Sequence, residues 1–220
     1  MPNIKFDRFG GGETDSSSEN PFENIIPEDT PFTVLGSIRK EEEPLVEKII
    51  LDILKRKPET VIGLFPRHMH RIKHWSDALG RMNIKWALRT NMAKPATNGS
   101  VILWDAFGEL VHAYKYAGAA FVGGSLVPLG GQNFLEALNC GVIPVTGPFW
   151  DNFSWVGSEI VNEGLLRVSE DWNGVSDALV EIMENPPPRE KVGSEAMRYM
   201  KTRQGGAAFA CKVIEDLLQK

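Results

Sequence analysis

From Phe32 onward, short apolar runs alternate with stretches whose apolar residues recur every three or four positions. The runs FTVLGSI (32–38), TVIGLF (60–65), IKWALR (84–89), VILWD (101–105), AAFVGG (119–124), VIPVTG (142–147) and LLRVS (165–169) have the length and residue types of strands. Between them, 42–56, 71–82, 108–118 and 133–141 have helical spacing, and further helical segments follow 169. In 42–56 the buried stripe is expected at Leu45, Ile49, Leu51, Ile53 and Leu54. The stretch 108–118 closes on Gly118, a residue type that ends helices. Strands that alternate with helices in this way predict βαβ units, and hence an α/β fold with a doubly wound parallel sheet. Such sheets bind ligands beyond the carboxyl ends of their strands, so the strand-to-helix loops are where chemistry is expected.

Residues 1–31 break the pattern. They are rich in Gly, Ser, Pro and acids and offer little to bury, which predicts a flexible linker or mobile arm, with IKFD (4–7) as a short strand. The remaining 32–220 is expected to be one domain, since 220 residues at 42% hydrophobic suit one large α/β unit better than two. A net charge of -5 with no basic patch argues against a general nucleic-acid surface. An acidic protein can still bind an anion locally through backbone N–H groups. Cys140 and Cys211 have neither metal-site nor disulfide-framework spacing, which fits a reducing compartment. No signal peptide is visible, and no apolar run reaches the roughly 18 residues of a membrane span.

The densest candidate chemistry is FVGGSLVPLGGQNFLEALNCG (121–141). Gly123 and Gly124, then Gly130 and Gly131, would let the backbone take positive φ and come close to a ligand. Asn133 and Glu136 follow at the start of a helix, three apart and on one face. Free N–H groups and the helix dipole there favour phosphate, while a carboxylate accepts hydrogen bonds from sugar hydroxyls. The combination predicts a nucleotide grip, with glycines and dipole for phosphate and Glu136 for ribose. The alternative is that the glycines make tight turns, Asn133 caps the helix and Glu136 is an ordinary first-turn acid. The stretch is not G-x-G-x-x-G, so a nicotinamide dinucleotide is not expected.

The stretch GGSLVPLGGQNFLEAL (123–138) resembles the signature of the transferases of Kdo, 3-deoxy-D-manno-octulosonic acid. More of the chain agrees, in family order. IKFD (4–7) is similar to the lobe-junction segment, and GSIRKEEE (36–43) to a Ser-Thr-His-x-Gly-Glu-Glu stretch, keeping Ser37, Glu42 and Glu43. FPRHMHR (65–71) resembles a Pro-Arg-His segment, WDAFGEL (104–110) an Asp-Thr-x-Gly-Glu-Leu stretch, and TGPFWDNF (146–153) a Thr-Gly-Pro-x-x-x-Asn-Phe stretch. The resemblance implies a Rossmann-like domain forming one lobe of the two-lobed GT-B architecture. That lobe binds the CMP half of CMP-Kdo, with no cofactor beyond the activated sugar. It implies a partner lobe that carries the lipid A precursor site, an acceptor-activating carboxylate and a membrane-associating surface. The full-length enzyme would work at the cytoplasmic face of the bacterial inner membrane, in lipopolysaccharide biosynthesis. Because Met1 coincides with the lobe junction, the expectation is a chain cut at that boundary.

Four positions depart from the family pattern. Gln132 stands where the family has the His of Gly-Gly-His-Asn, Ala137 where it has Pro, and Ile38-Arg39 where it has Thr-His. Gln can donate and accept but cannot become cationic, so the donor sugar could differ from Kdo. The nucleotide-sugar contacts expected are Ser37, Arg67, Glu109, Gly123, Gly124, Ser125, Gly130, Gly131, Gln132, Asn133, Glu136 and Asn152. Against each stands a structural alternative: a solvated Arg67, a helix-start Glu109, a capping Asn152. His70 and His74 are four apart, but no acid or Cys at ligand spacing joins His68, His70 and His74, so no metal is expected. Most of the six Trp are expected in packing. Two other classes remain open, a non-catalytic nucleotide-binding module and the lobe of a nucleotide-sugar epimerase.

Overall fold

The structure, a computed structural model, describes residues 3–8, 22, 25–27 and 29–218. Among the described residues, seven parallel strands form one sheet in the order β3-β4-β2-β1-β5-β6-β7. They are β1 (Phe32–Ile38), β2 (Val61–Pro66), β3 (Lys85–Leu88), β4 (Ser100–Leu103), β5 (Ala119–Val122), β6 (Pro144–Thr146) and β7 (Arg167–Val168). Every ladder is parallel, as the βαβ reading requires. The middle strands are mostly apolar and almost wholly buried, because both faces of the sheet are covered. On β1, Val34 faces one core and Leu35 the other.

One face is covered by α1 (Glu43–Arg56), α2 (Ile72–Arg81) and α6 (Trp172–Glu184), through Ile49, Trp75 and Val175 among others. The opposite face is covered by α3 (Leu110–Tyr116), α4 (Leu135–Asn139), α5 (Glu159–Asn162) and α7 (Arg189–Lys201), through Tyr114, Leu135, Ile160 and Tyr199. The last helix is α8 (Gly206–Leu218). In α1 the buried stripe is Val46, Ile49, Ile50 and Ile53, while Leu51 is exposed. Ile49 and Ile53 are as expected, and Leu45 and Leu54 pack half-buried beside them; the correction is Leu51, which lies outside the i, i+3, i+4, i+7 spacing that Val46 and Ile50 complete.

IKFD is not a strand. Ile4–Arg8 is a 3-10 turn. Asp7 accepts hydrogen bonds from the backbone N–H of Gly205 (2.7 Å) and Ala207 (2.6 Å), at the start of α8. Phe6 is buried and meets Trp155 edge-on, with ring centroids 5.0 Å apart. Nor is 1–31 without buried groups. Phe22 and Ile25 are buried, and Phe22 stacks on both Trp104 and Tyr116, at 5.3 and 5.2 Å. The Ile25 carbonyl accepts from Ala96 N–H at 2.7 Å. Single apolar residues among polar ones carry no periodicity, which is why the pattern does not show them.

The chain winds leftward from β1 through β2 to β3 and β4, then crosses back so that β5 lies on the other side of β1. The loops leaving β1 and β5 therefore diverge and leave a crevice at the carboxyl edge.

Candidate functional site

Two loops build the crevice. On the β1 side, the register slips between Leu35 and Ile38, and Ser37 sits in the slip with φ +58°. A β-bulge with a non-glycine residue in the left-handed region is strained and persists only where its surroundings impose it. It turns Ile38 so that its carbonyl accepts from Arg67 N–H at 2.8 Å, which ties the loop after β2 to β1.

On the β5 side is the glycine loop, and a residue absent from the expected site organises it. Glu42 is fully buried at the start of α1. Its carboxylate accepts from the backbone N–H of Arg39 (2.8 Å), Gly124 (2.6 Å), Ser125 (3.3 Å) and Leu126 (3.4 Å). Burial pushes its carboxyl above the ordinary value, against the opposing pull of these donors. A Cβ on Gly123 would collide with Glu42 Oε1, and Gly123 does not take positive φ. Gly123 is thus a glycine for the sake of this internal carboxylate rather than for a ligand.

Ser125 is corrected with it. It is fully buried, its Oγ donates to the Val122 carbonyl at 2.8 Å, and that Oγ accepts from Gly147 N–H at 2.9 Å. Both donors of Ser125 are thus already used, its N–H on Glu42 and its hydroxyl on Val122. Gly124, Gly130 and Gly131 do take positive φ, at +67°, +81° and +81°. Their amides also turn inward: Gly131 N–H donates to the Gly124 carbonyl at 2.8 Å and Gln132 N–H to the Gly123 carbonyl at 3.0 Å. Asn152 locks this fold-back. Its side-chain amide donates to the Leu129 and Gly131 carbonyls at 3.2 and 3.4 Å, and a Cβ on Gly130 would strike it. Asn152 acts by shaping the loop.

Beyond the loop the chain enters α4, which is only five residues long and starts at Leu135. Its dipole is correspondingly small, so the expected helix-end contribution shrinks. Asn133 is exposed just before it, and its amide donates to Glu136 Oε1 at 2.8 Å. Glu136 is half-buried. Burial raises its carboxyl pKa, partly offset by Asn133 and by the positive charge of Arg67. Arg67 itself is exposed at the end of β2, with no hydrogen-bond or ion-pair partner for its guanidinium among the described residues. Asn133, Glu136 and Arg67 are therefore the predicted residues that the fold brings together with polar atoms to spare.

Glu109 is placed elsewhere. It lies after β4, separated from β1 by β2, and is held by Trp104 Nε1 (2.9 Å) and Arg89 (Nε 2.9 Å, Nη2 3.3 Å). Those partners tie the loops after β3 and β4 together, so the Glu109 carboxylate is already held within the chain. The histidines go to separate partners: His68 and His70 stack at 5.5 Å, while His74 Nε2 lies 3.1 Å from Glu43, which Arg71 also grips. Among the described residues no group of three or more His, Cys, Asp or Glu is placed to hold a metal.

A cleft of about 520 Å³ opens beside the loop, lined by Gly131, Gln132, Asn133, Leu135 and Asn152. Its other wall is Phe153, Trp155 and Lys5, with the Lys5 ammonium 5.0 Å from the Trp155 ring centroid. Lys5 and Trp155 were not expected at the site. A charged residue and an aromatic 150 positions apart give no sequence signal that they meet.

Comparison with known proteins places this geometry. No protein-family model matches the chain. The 3-deoxy-D-manno-octulosonic acid transferase of Haemophilus influenzae is 26% identical over 219 residues, 99% of this chain and 51% of that protein. The C-terminal CMP-Kdo binding domain of WaaA from Acinetobacter baumannii superposes with a TM-score of 0.71 at 26% identity, covering 79% of this chain and 90% of that domain. Curated Kdo transferases thus cover most of this chain, at 26 to 31% identity. The chain spans about half the length of the curated Kdo transferases it matches. The fold extends past the family: the glycosyltransferase of kitacinnamycin, at 16% identity, superposes with a TM-score of 0.53 over 94% of this chain and 47% of that one. In fold, the chain matches one Rossmann-like lobe of the GT-B architecture.

Proposed function

We propose that this chain is the donor-binding lobe of a glycosyltransferase that moves Kdo from CMP-Kdo to a lipid A precursor. The observation that carries the reading is the crevice between β1 and β5, where Asn133, Glu136 and Arg67 meet. It lies in a chain that superposes on a CMP-Kdo binding domain. Glu136, already oriented by Asn133, accepts hydrogen bonds from the ribose hydroxyls. Arg67 supplies positive charge near the phosphate, where charge builds as CMP leaves. The activated sugar brings its own leaving group, so no cofactor or metal is required. A second lobe supplies the lipid acceptor and the carboxylate that activates its hydroxyl, and the protein works at the cytoplasmic face of the bacterial inner membrane. No described helix is long and apolar enough to cross a membrane.

Glu136→Ala tests the ribose contact. A charged group accepting such bonds contributes about 1.5–3 kcal/mol, so CMP affinity should fall roughly ten-fold or more. The thermal midpoint should barely move. With 2′-deoxy- and 3′-deoxy-CMP, one analogue should bind wild type poorly and be insensitive to the substitution. A lower midpoint with unchanged CMP affinity would make Glu136 a structural residue and remove the ribose contact from this account.

A further inference from the structure

The glycine loop cannot neutralise a phosphate in the way its pattern suggests. Its first amides are spent: Gly123 N–H on the Gly36 carbonyl, and Gly124, Ser125 and Leu126 on Glu42. A carboxylate beneath the loop places negative potential where a phosphate would approach. The short α4 offers little to oppose it. A nucleotide bound here therefore needs a cation close to Gly124.

We propose that Arg39 is that cation, a bidentate clamp for the nucleotide phosphate standing in for the amides that Glu42 has taken. The inference rests on the donor-site reading above. Arg39 leaves the β1 loop at the Glu42–Gly124 junction, since its own N–H donates to the same Glu42 oxygen as Gly124 N–H. Its stem runs over Gly124, beside Gln132: a Cβ on Gly124 would lie 3.5 Å from Arg39 Cγ and 3.1 Å from Gln132 Nε2. Gln132 lines the cleft. The side chain of Arg39 is 30% exposed, yet its Nε is buried without a hydrogen bond. Glu41 is 3.9 Å from that Nε, beyond hydrogen-bond reach. A buried, unspent guanidinium donor is costly unless something meets it, and the planar fork of Arg matches phosphate oxygens. Of the other cations near the crevice, Lys5 sits over the Trp155 ring, and Arg67, whose charge reaches Glu136, leaves the end of β2 rather than the Glu42–Gly124 junction. The two positions that depart from the family's His residues, Arg39 and Gln132, thus flank one glycine. The cation is kept on the β1 loop and given up on the β5 loop.

The test compares CMP with cytidine on wild type, Arg39→Gln and Arg39→Lys, by calorimetry, with thermal melts as the folding control. Wild type should bind CMP about ten-fold or more tightly than cytidine. Arg39→Gln should collapse that ratio to below about three-fold while moving cytidine affinity much less, and Arg39→Lys should keep part of it, since a point charge remains without the fork. A CMP-to-cytidine ratio retained in Arg39→Gln overturns the clamp and leaves the donor site standing. Equal losses for both ligands also overturn it, making Arg39 a loop support. If wild type binds neither ligand, the donor-site reading fails and the clamp with it.

Discussion

Glu42, Glu41 and Glu43 are chemically identical neighbours with three different fates. Glu41 faces solvent, Glu42 holds the glycine loop, and Glu43 is buried against Arg71 and His74. The acid run is visible in the sequence, but which of its members turns inward depends on where α1 starts relative to the bulge at Ser37. Replacing Glu42 by Ala leaves several buried N–H groups without an acceptor and should cost about 2–4 kcal/mol. The pH dependence has a definite sign. Because burial raises the folded pKa of Glu42, its ionisation weighs against the fold, and its contribution declines as pH rises from 4.5 through the raised value. Urea unfolding across that range should show the slope in wild type and lose it in Glu42→Ala. Unchanged stability in the variant would mean that the loop does not depend on this carboxylate. The same residue explains why the pattern at Gly123 and Ser125 can be read in two ways. A Gly-Gly-Ser turn looks alike whether it wraps a phosphate or a carboxylate of its own chain.

The strands and helices follow from the apolar pattern because the sheet is buried on both faces, leaving runs that nothing else explains. What the pattern misses are pieces held by single contacts. The Ile4–Arg8 turn is fixed to α8 by Asp7 and by Gln204 Nε2, which donates to the Phe6 carbonyl at 3.2 Å. Gly206 fits only because a side chain there would strike the backbone at Asn3 and Ile4. The N–H of Gly205, foremost, holds the Asp7 carboxyl below its ordinary value. Its stabilising share is therefore present above pH 3.8 and lost as pH falls through the lower folded value. Hydrogen exchange should show α8 opening over that acid range before the sheet does. Asp7→Ala should produce the same selective opening at neutral pH, with β1, β2 and β5 still protected. Uniform loss of protection across sheet and helix would show that the clasp belongs to the core rather than to α8.

At the scale of the molecule, the sheet order sets the function. Reversal of winding between β1 and β5 places the bulge at Ser37, the glycine loop and α4 around one crevice, and the sequence order of motifs points to it before any contact is known. The polar inventory is less legible. Glu109 looks as suitable as Glu136 by position after a strand, yet only Glu136 lies beside β1, because β2 intervenes for the other. Lys5 and Trp155 join the site from widely separated positions in the chain. The central claim is that this crevice reads a cytidine nucleotide. Titration calorimetry with CMP, UMP and AMP on the wild-type chain tests it most directly. A single lobe lacks the contacts that cleft closure adds, so CMP should bind with micromolar to millimolar affinity, roughly -8 to -4 kcal/mol. UMP and AMP should bind markedly more weakly. Equal heats for all three nucleotides, or none for CMP, would contradict the account.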